Sequence, residues 1–332
     1  MEPKFILSQK KVLEQYEKVK KLGKVSFSLK TNYEVGKIIE EKTEALISVS
    51  TLEELERVKD KSRVIFFLQG NTKEQIKKLL NQEIKYFVAD NINDLNNIKE
   101  INPKNITLFL RMKLQEQTLH TSKYFVFGFT SEGIIKEINQ ISSNNINLGI
   151  HFHRKTQNLA EWNLINSIEP IKKILPKIKI ICIGGGIPSE YKNTNPSKET
   201  INNIFNKIKE FKKYINTELI LEPGRFISAP SVKLKTQIIN IYNNTVVINC
   251  SVYNSMLDAI IYPLKPLIEE ENETGEQYAI KGNTPCSLDM FRYRVKLKSP
   301  KIGDKITFLN AGAYNFYSDF CSLKKPKTII ED

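Results

Sequence analysis

Short apolar runs alternate with helix-like stretches over the first two thirds of this chain, and that alternation limits its fold more than any other feature. The runs lie at residues 25–29, 45–49, 64–68, 86–89, 106–110, 148–152, 178–183 and 218–221. Between them apolar residues recur at helical spacing over 51–59, 72–81, 93–101, 131–141, 159–174 and 198–214. A run this short, bounded by polar or turn-forming residues, reads as a buried strand. Eight strands alternating with helices predict an α/β fold, a (β/α)8 TIM-like barrel. A doubly wound open sheet is the competing architecture, but no Gly-x-Gly-x-x-Gly follows the first run, as such a sheet would have for a dinucleotide.

Beyond Pro230 the texture changes. Residues 232–239, 246–252, 277–281, 293–297 and 306–309 are β-branched runs joined by Asn, Gly and Pro turns, the pattern of an all-β module. The boundary is expected near 229–231, giving a barrel over 24–230 and a C-terminal β-domain over 231–332. Residues 1–23 hold an extended stretch at 5–7 and an amphipathic helix near 10–22. The acidic segment 269–275 reads as a mobile surface loop.

At 332 residues the chain has room for one large and one smaller domain. Its net charge of +13 comes from lysines spread at helical spacing among Asn, Ile and Glu. That reads as solvated helix faces and predicts no nucleic-acid partner. No run approaches the ~18 apolar residues of a membrane span, and Met1-Glu2-Pro3-Lys4 shows no secretory-signal pattern. Cys182, Cys250, Cys286 and Cys321 are scattered, without a Cys-x-x-Cys pair. They predict reduced thiols in a cytoplasm.

In a barrel the C-terminal strand ends converge on the face where active sites form. The first run, Val25-Ser26-Phe27-Ser28-Leu29, delivers Lys30 to that face, and Thr31 or Asn32 can cap the next helix. Apolar walls there would desolvate the ammonium, lower its pKa and leave a nucleophile for a carbonyl. The fifth run ends at Arg111 and the sixth at His151-Phe152-His153. The seventh leads into Gly184-Gly185-Gly186 and the eighth into Glu222-Pro223-Gly224-Arg225. Three glycines let backbone N–H groups approach an anion, Arg225 adds charge, and barrels commonly bind phosphate after strands seven and eight. Glu222 beside them can hold a cationic ring nitrogen. Lysine, phosphate cradle and carboxylate together describe a pyridoxal phosphate site. Singly, each has a plainer reading as a loop, a turn or a salt bridge. His151 and His153 have metal-ligand spacing, but no acidic or cysteine partner lies near in sequence, so no metal is expected.

On these residues the chain resembles the fold-type III pyridoxal phosphate decarboxylases, the ornithine, arginine and diaminopimelate enzymes. Phe27-Ser28-Leu29-Lys30-Thr31-Asn32 is similar to the family's Tyr-Ala-Val-Lys-Ala-Asn, and Gly149-Ile150-His151-Phe152-His153 to its Gly-Ile-His-Cys-His. Gly184–Gly186, Glu222-Pro223-Gly224-Arg225 and Gly312-Ala313-Tyr314 match its glycine loop, Glu-Pro-Gly-Arg and Gly-Ala-Tyr. The resemblance makes Lys30 the Schiff-base lysine, His153 the stacking ring and Glu222 the pyridine-nitrogen partner. Thr156, Gly185, Gly186, Gly224, Arg225 and Tyr314 would surround the phosphate, with Ser48 and Arg111 also at the cofactor. It implies a homodimer with shared active sites, acting on a small amino acid. It also implies that residues 5–7 belong with the C-terminal β-domain.

The family's Gly-Pro-Thr-Cys-Asp/Glu-Ser-x-Asp box appears as Gly282-Asn283-Thr284-Pro285-Cys286-Ser287-Leu288-Asp289. Pro285 takes the place of the proton-donating cysteine, and a one-residue shift in the turn would present Cys286 as that thiol. An inert buried cysteine is the alternative. In diaminopimelate enzymes an arginine that binds the distal carboxylate stands where this chain has Asp258. A carboxylate there favours a basic amino acid such as ornithine, lysine or arginine. Tyr262 stands where ornithine enzymes have an aspartate, and Asp289 is a further candidate substrate contact. Two other readings remain open, a diaminopimelate decarboxylase and a catalytically silent relative that kept the fold.

Overall fold

The structure, a computed structural model, describes residues 1–114, 127–141 and 145–332. It divides into two compact units, one of residues 16–187 and 197–223, the other of 1–15, 188–196 and 224–332. With this division 224–230 group with the β-rich unit.

The first unit is a closed barrel of parallel strands. They are β2 (Lys24–Ser28), β3 (Leu46–Val49), β4 (Val64–Leu68), β5 (Tyr86–Ala89), β6 (Ile106–Arg111), β7 (Ile146–His151), β8 (Ile180–Cys182) and β9 (Glu218–Leu221). β9 pairs back with β2 through Lys24↔Ile220 and Val25↔Leu221, so no strand edge is left open. Every residue of β3 is buried, because such strands pack against helices outside and side chains inside. Helices start where a side chain can accept from the first turn. Asn32 caps Tyr33–Lys42, and Thr72 with Gln75 forms a capping box for Lys73–Asn81. The cap after Lys30 is thus Asn32 rather than Thr31.

The helix expected over 159–174 is replaced by a short α-helix, Leu164–Ile168, followed by a 3-10 segment, Glu169–Lys177. Pro170 and Pro176 lie in that segment, and each removes an N–H that an α-helix would need.

The second unit holds the other sheet. Its strands are β1 (Lys4–Ser8), β10 (Val232–Tyr242), β11 (Thr245–Ile248), β12 (Leu267–Ile268), β13 (Glu276–Lys281), β14 (Met290–Leu297), β15 (Lys305–Leu309) and β16 (Lys327–Glu331). Their order is β12-β15-β10-β11-β13-β14, and β1 pairs antiparallel with β10 and parallel with β16. Residues 5–7 therefore do join the C-terminal sheet. The run expected over 246–252 stops at Ile248, because Ser251 caps a short helix, Val252–Ser255.

The acidic segment 269–275 is not a loose loop. Glu269 pairs with Lys233 at 2.6 Å, Glu270 accepts from Thr307 N–H at 2.7 Å, and Glu271 pairs with Arg292. Among the described residues no helix is long and apolar enough to cross a membrane.

Candidate active site

Alternation along the barrel strands builds the site. Leu46, Ile65, Val88, Phe109, Ile180, Cys182 and Ile220, from six of the eight strands, form one buried cluster. Residues two positions further along a strand share its face. This places Ser48, Phe67, Asp90, Arg111 and Glu222 on the same inner side, one layer nearer the C-terminal ends. Gly149 sits opposite Phe109 in register, and a Cβ on it would lie 2.5 Å from the Phe109 ring. The missing side chain makes room for that ring and leaves His151, two residues on, in the upper layer.

Glu222 is the centre of that layer. Ser48 Oγ donates to Oε1 at 2.7 Å, His151 Nε2 lies 3.1 Å from Oε2, and Ser26 Oγ backs Ser48 at 2.7 Å. Burial pushes the Glu222 pKa up, but His151 and the hydrogen bonds from His151 and Ser48 together outweigh it and hold the carboxyl at about 2. The Cys182 sulfur lies within 4.8 Å of this carboxylate, and burial raises its thiol pKa well above the usual range. His151, Cys182 and Glu222 thus bring ligand-type atoms within 4.8 Å of one another. The cysteine and carboxylate partners missing near His151 in sequence are supplied by other strands. His151 and Glu222 are hydrogen-bonded to each other and the thiol keeps its proton, a poor state for binding metal.

His153 lies just beyond β7, with its outer surface exposed. Its Nδ1 accepts from Gly185 N–H at 3.2 Å, which requires that nitrogen to be unprotonated. Burial of the rest of the ring lowers its pKa, and Arg111, His151 and Lys30 add to this against the pull of Glu222. The glycine loop is shaped by close approach. Gly184 and Gly186 have φ of +64° and +100°, and a Cβ on Gly185 would lie 2.7 Å from the Glu222 carbonyl oxygen. The Gly185 N–H expected to face phosphate is engaged with His153.

Lys30 closes the turn after β2, in the 3-10 segment Leu29–Thr31, and its side chain is exposed. The apolar walls expected from the sequence do not enclose it. Arg111 pairs with the buried Asp90 at 3.1 Å and lies over the Phe127 ring. Thr156 is half-buried in the turn after β7. Asp90 and Ser26 escaped sequence reasoning, although both stand at inward positions of their strands.

The remaining candidates belong to the β-rich unit. Arg225 Nη1 donates to Asp258 Oδ2 at 2.6 Å and to the Tyr191 hydroxyl at 3.1 Å, and its guanidinium lies 4.8 Å from the Tyr314 ring centroid. Gly224 opens the buried helix Gly224–Ser228 that carries it. Asp258 is therefore not the open carboxylate anticipated for a substrate amine, since its charge is matched by Arg225. Asp289 is fully buried and accepts from Val252 N–H, Thr284 N–H and Thr284 Oγ1. Its carboxylate shapes the turn that holds Cys286, which removes it as a substrate contact. Cys286 is half-buried, and the Tyr253 hydroxyl lies 3.1 Å from its sulfur. That hydrogen bond lowers the thiol pKa. Tyr262 is exposed and ends the short helix Asp258–Ile261.

The barrel residues fit pyridoxal phosphate. Glu222 is buried and ionised, with lone pairs to spare for a protonated ring nitrogen. His153 offers a neutral ring, and Lys30 Nζ makes no hydrogen bond or ion pair among the described residues. The geometry thus defines a (β/α)8 barrel with an exposed lysine and a buried carboxylate at its strand ends. The family model for the pyridoxal-dependent decarboxylase pyridoxal-binding domain matches residues 9–229, so the chain belongs to the pyridoxal-dependent decarboxylases.

Relatives lie on both sides of a substrate divide. An ornithine decarboxylase from Caenorhabditis elegans is 22% identical over 284 residues, covering 76% of this chain and 66% of that protein. A diaminopimelate decarboxylase from Haemophilus influenzae is 26% identical over 313 residues, covering 84% and 74%. The chain thus spans about two thirds of the nematode protein's length. A lysine/ornithine decarboxylase from Vibrio vulnificus, complexed with putrescine, superposes with a TM-score of 0.85 at 19% identity, over 99% of this chain and 94% of that one. A diaminopimelate decarboxylase from Helicobacter pylori, complexed with L-lysine, gives 0.87 at 20% identity, over 100% and 92%.

Proposed function

We propose that this chain is a pyridoxal phosphate-dependent decarboxylase of a basic amino acid, ornithine, lysine or arginine, releasing a diamine or agmatine. The observation that carries the reaction class is the buried, ionised Glu222 at the same barrel mouth as Lys30. The bound cofactor supplies an electron sink for the pair left behind when carbon dioxide departs. Lys30 would hold the cofactor carbonyl through its amine. Glu222 would keep a proton on the ring nitrogen, and His153 would offer its neutral ring to the cofactor ring. Gly186, Thr156, Gly224, Arg225 and Tyr314 would serve the phosphate. Cys286 would return a proton to the alpha carbon.

Position 258 supports the basic substrate. It carries an aspartate matched by Arg225 where diaminopimelate enzymes carry an arginine, so it offers no cation to a second substrate carboxylate. A homodimer is part of the proposal. Ile261, Leu288, Tyr293 and Tyr317 of the β-rich unit stand exposed, at 65%, 60%, 64% and 51%, and large apolar side chains left in water commonly mark an interface. Light scattering on the purified protein tests it, a monomeric mass removing it. The free cysteines fit a reducing cytoplasm.

The test is a panel of ornithine, lysine, arginine and diaminopimelate with added pyridoxal phosphate, reading carbon dioxide and amine. Putrescine, cadaverine or agmatine is expected. Carbon dioxide from diaminopimelate alone overturns the substrate, and failure to bind the cofactor leaves a silent relative. Borohydride reduction should attach the cofactor to Lys30, and Lys30→Ala should abolish that adduct.

A further inference from the structure

Glu222 is held by more than its own strand. A carboxylate offers about four lone-pair positions. Ser48 takes one on Oε1 and His151 one on Oε2. His151 is 1% exposed, and its Nδ1 has no partner among the described residues. A proton on Nδ1 would be a buried, unpaired donor, a costly arrangement. A ring proton on Nε2, donated to Glu222, is therefore the arrangement these surroundings favour. The imidazole is also fixed in direction, because Phe67 meets it edge-on at 5.1 Å between ring centroids.

We propose that His151 is a positioning residue that, together with Ser48, fixes the Glu222 carboxylate in one orientation and charge state and so keeps the cofactor's ring nitrogen protonated. This rests on the reading of Glu222 as the partner of that nitrogen. The first histidine of His151-Phe152-His153 then has a task distinct from the second: it acts through the carboxylate, and His153 acts on the ring. Among the described residues, the other titratable groups at this mouth are Lys30, Asp90, Arg111, His153 and Cys182. Of these, the Cys182 sulfur lies within 4.8 Å of the Glu222 carboxylate and is at most a weakly donating thiol.

The test uses cofactor labelled with an isotopic ring nitrogen, bound to wild type, His151→Leu, His151→Gln and Glu222→Gln. Its resonance distinguishes a protonated from a bare nitrogen. Wild type and His151→Gln, which retains a donor, should keep the protonated signal at neutral pH. His151→Leu should lose it at lower pH than wild type and bind the cofactor about tenfold more weakly, as expected for one lost hydrogen bond to a charged group. A protonated signal in His151→Leu that persists to the same pH as in wild type, with none in Glu222→Gln, would overturn the role of His151. A protonated signal in Glu222→Gln as well would overturn the underlying reading of Glu222. A variant that fails to fold leaves a second readout in the native protein. The chain has 3 histidines, so labelled-imidazole spectra can be assigned, and an Nδ1–H tautomer at His151 would overturn the proposal by itself.

Discussion

Arg225 Nη1 lies 2.6 Å from Asp258 Oδ2, both side chains nearly closed to solvent at 6% and 11% exposure. The guanidinium of the Glu-Pro-Gly-Arg segment is thus neutralised within its own unit. Removing the anion should leave a buried cation unmatched. Asp258→Ala is expected to destabilise the protein by about 3 kcal/mol, and Asp258→Asn, which keeps a hydrogen-bond acceptor, by less. Urea unfolding of the three proteins measures this, and equal midpoints would remove the pair as a stabilising contact.

Acid should expose the strain on Glu222. Its carboxyl titrates near 2 in the folded barrel against an ordinary 4.5. A depressed carboxyl contributes its full stabilisation above the ordinary value and loses it as pH falls through the folded one. The contribution is on the order of 3 kcal/mol. Glu222→Gln lacks that dependence, so wild type should lose stability relative to the variant between pH 4.5 and about 2. Parallel stability curves for the two proteins would contradict the assignment.

Gly185 leaves no room for a methyl group. Its added Cβ would lie 2.7 Å from the Glu222 carbonyl oxygen and 3.2 Å from His153 Cε1. Gly185→Ala must therefore displace Glu222, His153 or both, and cofactor affinity should fall roughly tenfold or more. Titration of the apoprotein with pyridoxal phosphate reads this directly, with circular dichroism to confirm folding.

Tyr253 should govern the reactivity of one thiol. Its hydroxyl bonds to Cys286, whose pKa is lowered mainly by that contact, and thiolate is the reactive form. Tyr253→Phe should slow alkylation of Cys286 roughly threefold at neutral pH and leave Cys321 unchanged. Peptide mapping separates the two, and an unaltered Cys286 rate would show that the hydroxyl does not tune it.

The barrel was legible because each strand is a local signal. Residues 64–68, 86–89 and 218–221 are apolar runs between polar ones, and burial on both faces needs nothing else. The failure over 159–174 was avoidable in principle, since Pro170 and Pro176 stand in plain view, but apolar periodicity continues through them. The order of Lys30, His153, Gly184–Gly186 and Glu222 along successive strand ends was equally readable. The pairings of those side chains were not. Arg225–Asp258 and Tyr253–Cys286 join distant residues, and no spacing rule shows that a charge already has a partner. Ser26 and Asp90 were overlooked because inward placement depends on strand register, which the sequence leaves open.

Pairing of β1 with β16 has a consequence for synthesis. Lys4–Ser8 leaves the ribosome before the barrel, yet its neighbours, Val232–Tyr242 and Lys327–Glu331, are made after it. For most of translation that apolar segment has no sheet to enter. Such a delayed edge is open to wrong pairing with other nascent chains. Chaperone demand should therefore track the time between synthesis of Lys4–Ser8 and of Lys327–Glu331, and slowing translation between them should lower yield even where every codon is read correctly.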